Sequence, residues 1–155
     1  MHRILIIVLL SVMILVLSSE AFAEDSPFEL VKGWLDANNI VYMTTEKNEI
    51  AIGIKGENIP GVNVVIGFSE EFIHFMVPVG EIPPDAGADY YAGLIDLTGS
   101  IPMIKPFIDK ESYFYLVIDF PLGGFSEEEV MTDIALLVKF TDINNKELYP
   151  WEEEN

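Results

Sequence analysis

Apolar residues recur along the chain with two different periods, and the change of period separates predicted helices from predicted strands. Ser26 and Pro27, with Glu29 three residues after the serine, predict the first turn of a helix that ends near Asn38. From residue 40 onwards the chain has short β-rich runs, and in two of them, residues 50–54 and 62–68, the larger apolar residues recur at every second position, which is typical of β-strands. These runs span residues 40–45, 50–54, 62–68 and 72–79. The short turns between them favour an antiparallel meander.

The second half of the chain predicts two more helices with a hairpin between them. Of these two helices, the first is expected over residues 89–97. The hairpin strands are expected over residues 103–108 and 112–120. Ser126 and Glu129 have the spacing of a capping box and predict the N-terminus of the last helix. The order α-ββββ-α-ββ-α is that of an α+β fold, in which an antiparallel sheet of about five to six strands carries helices on one face.

The N-terminal segment has the three parts of a secretory signal peptide. A basic head, Met1–Arg3, is followed by the apolar run Ile4–Leu17 and then by Ala21-Phe22-Ala23. A membrane-spanning helix needs about 20 apolar residues, and this run ends sooner. We therefore predict cleavage after Ala23 and an exported protein, periplasmic or secreted. The alternative is an uncleaved anchor that tethers the same domain to the membrane.

The predicted organisation has three parts. Residues 1–23 are the signal peptide, residues 24–150 form a single domain, and residues 151–155 are an acidic tail. The chain contains no cysteine, so a domain in an exported compartment cannot be stabilised by disulfides and depends on its hydrophobic core.

The charge of the chain limits the partners that it can have. Against 26 acidic residues there are 8 basic ones, which gives a formal net charge of −18. A surface with this charge repels phosphate backbones and anionic lipid headgroups. We therefore expect no nucleic-acid partner, and no stable membrane insertion once the signal peptide has been removed.

Several segments of the C-terminal half resemble the YbjN family, which shares a fold with the type III secretion chaperones. The segments are Lys105-Pro106-Phe107, Phe120-Pro121-Leu122, the run from Gly123 to Glu129, and Leu148-Tyr149-Pro150. The resemblance implies a non-enzymatic protein-binding or chaperone-like module, often dimeric, over most of residues 27–150. Secretion chaperones act in the cytosol, so for an exported chain the resemblance implies only a protein-binding sheet or groove.

The sequence offers few candidates for catalysis. After the predicted cleavage His74 is the one remaining histidine, and nucleophilic mechanisms need a base beside the nucleophile. We interpret His74 as a structural or interface residue, and we expect no catalytic site, no metal site and no cofactor. The alternative hypothesis is a small carboxylate-based or metal-dependent hydrolase that uses Asp85, Asp89 and Asp96.

The second face of the predicted sheet carries large and apolar residues, although a face open to water is expected to be polar. These residues are Val65, His74, Met76, Tyr113, Tyr115 and Val117. Tyrosine and methionine are enriched at protein interfaces. We therefore predict a protein interface here, for a partner protein or for a second copy of the chain. The alternative is that a helix, or the segment with Tyr149 and Trp151, covers this face.

Overall fold

The computed structural model of the protein describes residues 26–148. The predicted signal peptide (1–23) and acidic tail (151–155) lie outside the described residues, as do Tyr149 and Trp151. Within residues 26–148, no helix combines the length and the apolar composition needed to cross a bilayer.

The described residues form one antiparallel sheet with helices. In chain order the elements are α1 (Pro27–Ala37), β1 (Tyr42–Thr44), β2 (Ile50–Ile54), β3 (Val62–Phe68), β4 (Phe72–Glu81), α2 (Ala88–Gly99), β5 (Lys105–Ile108), β6 (Tyr113–Pro121), α3 (Glu127–Ile143) and α4 (Asn145–Leu148). The strands lie in the order β1-β2-β3-β4-β6-β5, each antiparallel to its neighbours. The predicted fold class and element order are confirmed, and the short helix α4 is an addition.

The two faces of the sheet differ in burial, and β4 shows the difference most clearly. Ile73, Phe75 and Val77 are buried in the core that the helices cover. The residues between them, His74 and Met76, point to the other face and keep part of their surface exposed. The strand is therefore apolar on its core face and only partly covered on its second face.

Strand β4 continues beyond its predicted end and contains a bulge. The pairing with β6 shifts between Pro78 and Gly80, and Gly80 has a φ of 155°. This conformation suits a residue without a Cβ atom. After the bulge, Glu81 pairs with Tyr113, so the two strands remain paired to the start of β6.

Serine side chains begin helices α1 and α3 at the positions that the sequence predicts. The backbone N–H of Glu29 donates to Ser26 Oγ at 3.3 Å, and the N–H of Glu129 donates to Ser126 Oγ at 3.3 Å. The Ser126 hydroxyl also donates to Glu129 Oε2 at 2.7 Å. Each serine thus satisfies an N–H group that has no partner within its own helix.

A carboxylate on α3 holds the loop between β2 and β3. Asp142 is buried, and its two oxygens accept hydrogen bonds from the backbone N–H groups of Glu57, Asn58 and Ile59 and from the Asn58 side-chain amide, at 2.8–3.1 Å. Burial acts to raise the pKa of Asp142, but these four donors outweigh it and lower the pKa. The charge of Asp142 therefore connects α3 to a loop more than 80 residues earlier in the chain.

The loop can approach Asp142 only because residue 56 is glycine. A Cβ atom on Gly56 would lie 2.9 Å from the Asp142 carboxyl carbon and closer still to Oδ1. We expect Gly56→Ala to lower the melting temperature by at least about 4 °C, because overpacking here costs about 1–3 kcal/mol. Gly61→Ala in the same loop is the control, since its Cβ would be 3.8 Å from its nearest neighbour. Equal melting temperatures for the two variants would contradict the proposed packing.

A second carboxyl group on α3 is buried without such donors. Asp133 is 2% exposed, and within the described residues its Oδ2 atom has no hydrogen-bond partner. Burial, together with a smaller effect of Glu129, raises the pKa of Asp133 to about 6. An ionised Asp133 therefore destabilises the packing of α3 on the sheet.

Asp133→Asn is expected to change how stability depends on pH. The folded protein keeps the Asp133 proton up to about pH 6, whereas the unfolded chain loses it near its ordinary value of 3.8. The Asp133 contribution to stability is therefore complete below about pH 4 and is lost as the pH rises through about 6. Measured by urea unfolding, the unfolding free energy of the variant minus that of the wild type should increase by about 1–3 kcal/mol from about pH 4 to about pH 7. Asp96→Asn, at an exposed site on α2, should show no such increase.

Candidate functional site

The face of the sheet that points away from the helices, here called the open face, is crossed by one continuous line of residues. The strand register places one residue of each strand in this line, the central row, which consists of Met43, Ala51, Val65, Met76, Val117 and Lys105. Five of its members are apolar, and the lysine stands on an edge strand. An apolar stripe therefore crosses five of the six strands, from β1 to β6, and ends beside Lys105 on β5.

An aromatic cluster lies beside the central row at the β5–β6 edge. Tyr115 pairs with Phe107 on one side and with Pro78 on the other, so these three side chains share the open face. The ring centre of Tyr115 lies 6.1 Å from that of Phe107 and 5.7 Å from that of Tyr113. Offset and tilted ring pairs at such distances attract each other, which favours a defined arrangement of the cluster.

The hairpin turn next to this cluster is organised by Asp109. One carboxylate oxygen accepts from the backbone N–H groups of Glu111 and Tyr113, both at 2.9 Å, and the other accepts from the Tyr115 hydroxyl at 3.2 Å. The hydrogen bond from Tyr113 is the main cause of the lowered pKa of Asp109. These bonds therefore form in the ionised state and weaken only as the pH falls below the ordinary value of 3.8.

A charged cluster lies on the other side of the central row. His74 Nδ1 is 2.7 Å from Asp119 Oδ1, and Lys105 Nζ is 3.4 Å from Asp119 Oδ2. The carboxylate can only accept hydrogen bonds, so the proton of the first contact belongs to the imidazole. All three side chains are partly exposed, which places this charged cluster at the surface.

The charged cluster has the connectivity of a catalytic triad, because His74 Nε2 lies 3.1 Å from Ser69 Oγ. The Ser69 hydroxyl is, however, already part of the β3–β4 turn: it donates to the Phe72 carbonyl at 3.2 Å and accepts from the Phe72 N–H at 3.1 Å. The exposed residues Glu70 and Glu71 follow Ser69 directly. Negative charge beside the hydroxyl opposes the oxyanion that acyl transfer develops. The arrangement therefore favours a structural role for His74.

Two adjoining cavities on the open face have volumes of about 440 and 380 Å³. Met76 and Phe107 line both of them, so these two side chains separate one cavity from the other. The first extends towards Glu49, Tyr115 and the Asp109 turn, and the second extends over the charged cluster. Cavities of this size can accept side chains of a partner.

The six residues predicted for the interface all lie on the open face. The register places Val65, Met76 and Val117 in the central row, and it places Tyr115, His74 and Tyr113 on the same face beside it. Val117 is only 8% exposed, because it lies between its neighbours on β4 and β5. It therefore forms the floor of the surface and offers little area to a partner.

Two further residues of this surface were not predicted from the sequence. Phe107 is 52% exposed and Met43 is 73% exposed, and both project from edge strands. Both residues lie within predicted strands, 40–45 and 103–108, but neither of these segments alternates regularly between apolar and polar residues. The missing information was the pairing partner, since only the register shows which face an edge residue shares.

The acidic residues of the alternative hydrolase hypothesis are spread over a loop and a helix. Asp85 lies in the loop before α2, Asp89 in the first turn of α2 and Asp96 in its second half, and all three are exposed. Within residues 26–148, no three histidine, aspartate or glutamate side chains come together as a metal site.

The role of Asp109 in shaping the open face is testable by hydrogen exchange. Asp109→Ala removes the acceptor of the Glu111 and Tyr113 N–H groups, so we expect both amides to exchange at least about tenfold faster, because each loses a hydrogen bond of about 1.5 kcal/mol. Lys110→Ala in the same turn keeps the carboxylate and should leave both rates within about twofold of the wild type. Unchanged rates in Asp109→Ala would contradict this role.

Comparison with known proteins gives a structural likeness but no relative by sequence. No protein-family model and no curated protein matches the chain. The structure is similar to the crystal structure of YbjN, a proposed transcription regulator from E. coli, with a TM-score of 0.60 and 14% sequence identity over 82% of this chain and 92% of that chain. The chain therefore has a YbjN-like fold, as the resemblance of its C-terminal segments implied. At this identity the likeness concerns the fold alone.

Proposed function

We propose that this protein is a non-catalytic protein-binding module, chaperone-like in its mode of action, that holds its partner on the open face of the sheet. The central row carries the proposal, because it crosses all six strands with only one charged residue. Four large apolar side chains on this face remain substantially exposed: Met43, Phe72, Phe107 and Tyr113. Contiguous exposed apolar surface of this kind is characteristic of interaction sites.

The charges around the open face indicate what the partner carries. Glu49 and Asp109 line one cavity and Asp119 lines the other, while Lys105 and His74 are engaged with Asp119. A partner with apolar side chains flanked by lysine or arginine is complementary to this arrangement. A second copy of the chain would bring together two molecules that each have a net charge of −18. Charge therefore favours a cationic partner over self-association.

We also propose that the module acts outside the cytoplasm, as a periplasmic or secreted protein. The signal-peptide pattern of residues 1–23 supports this location. An exported partner with exposed apolar and basic segments would meet the open face there.

A paired-variant experiment tests the binding face. Met43→Ser combined with Phe107→Ser removes two exposed apolar side chains from the open face without changing the charge. The probe is a short fluorescent peptide of alternating lysine and leucine, followed by anisotropy. We expect binding to the double variant to weaken at least about tenfold, which corresponds to about 1.4 kcal/mol, because truncated interface anchors cost this much or more.

The control is Tyr91→Ser combined with Ile95→Ser, which removes two exposed side chains from helix α2. Its affinity for the peptide should stay within about twofold of the wild type, because neither side chain lies on the open face. If both double variants lose the same affinity, the open face is not the binding site. Light scattering across a dilution series, applied to the same variants, shows whether self-association uses this face.

A further inference from the structure

A third cavity, with a mostly apolar lining, lies on the opposite side of the molecule, between α3 and the β2–β3 loop. This groove has a volume of about 660 Å³, within the usual range of small-molecule sites. Its apolar lining consists of Ile40, Ile54, Met131, Ile134, Ala135, Val138 and Ile143. No residue of this set belongs to the open face, so the groove is distinct from the proposed protein-binding surface.

The groove also contains two lysines that have no carboxylate partner among the described residues. Lys55, directly after β2, and Lys139, on α3, both line it and are exposed. The lysine ion pairs within residues 26–148 are those of Lys32 with Glu29 and Lys105 with Asp119, and neither lysine of the groove joins them. The chain has 26 acidic and 8 basic residues, and two of its lysines line this one groove beside Glu57 and Asp142.

The acidic residues of the groove offset this positive charge only in part. Asp142 lines the groove, but its oxygens are occupied by the N–H groups of the β2–β3 loop. Glu57 is the other acidic residue of the lining, and it is exposed on the same loop. The hydrogen bonds to Asp142 fix the β2–β3 loop. The side of the groove that carries Lys55 is therefore held in place before a ligand binds.

We propose that this groove binds a long-chain carboxylate. The alkyl tail would lie on the apolar wall formed by Met131, Ala135 and Val138 of α3, and the carboxylate would meet Lys55 and Lys139. Burial of the tail supplies about 0.8 kcal/mol for each methylene group. The two ammonium groups select for an anionic headgroup, since a lysine side chain can rest its methylene groups on apolar surface while its charge stays in water.

Calorimetric titration of the full chain with three ligands, each with a chain of twelve carbon atoms, tests the proposal. Laurate carries a carboxylate, dodecanol is neutral, and dodecyltrimethylammonium is a cation. We expect laurate to bind at least about tenfold more tightly than the other two, because only its headgroup meets the lysines favourably. The cation should bind more weakly even though the chain has a net charge of −18. Equal or tighter binding of dodecanol or of the cation would overturn recognition by the lysines.

Two sets of variants place the ligand. The double variant Lys55→Gln with Lys139→Gln should lower the affinity for laurate at least about tenfold and leave the affinity for dodecanol unchanged. The control is Lys47→Gln with Lys110→Gln, which alters two exposed lysines in turns and should change neither affinity. Ala135→Trp should abolish laurate binding by filling the groove, and Ala92→Trp, at an exposed site on α2, is its control. Undiminished binding to Ala135→Trp would show that laurate binds elsewhere.

Discussion

The sheet has two faces with large side chains, and the described helices cover one of them. Alternation in β4 and β6 sends residues such as Phe75 and Leu116 into the core and residues such as Met76 and Tyr115 to the other side. Register then fixes the composition of both faces at once, because a shift by one residue would exchange them. The core, the central row and the aromatic cluster are therefore consequences of a single set of strand pairings.

The elements of the fold could largely be predicted from the sequence, because their signals are local. Alternation defined β2 and β3 at the bounds that the structure has, and Ser26 and Ser126 marked the two N-caps. The limits of β4 and the anchoring of the β2–β3 loop were not predictable in this way. The bulge before Gly80 depends on pairing with β6, and the loop depends on Asp142, which is far away in sequence.

The same distinction applies to the candidate sites. The phase of the strands placed six residues on one face, but it could not show that Val117 is covered by its neighbours or that Lys105 reaches Asp119. The groove beside α3 was not predicted, since it forms where a helix and a distant loop leave space between them. A surface built from one strand pattern is visible in a sequence, whereas a cavity between distant elements is not.

The strand order has a consequence for how the chain folds. β6 lies between β4 and β5, and α2 and β5 separate β4 from β6 along the chain. Until β6 has been synthesised and has docked, β4 is an edge strand with unpaired backbone groups and apolar side chains on its core face. The longest strand of the sheet, β4, therefore pairs on one side with a strand that is distant in sequence, and such non-local pairing is slow. Before β6 is in place, the unpaired edge of β4 can form hydrogen bonds with another chain. We therefore expect β4 to be the part of the folding chain that associates most readily with other chains.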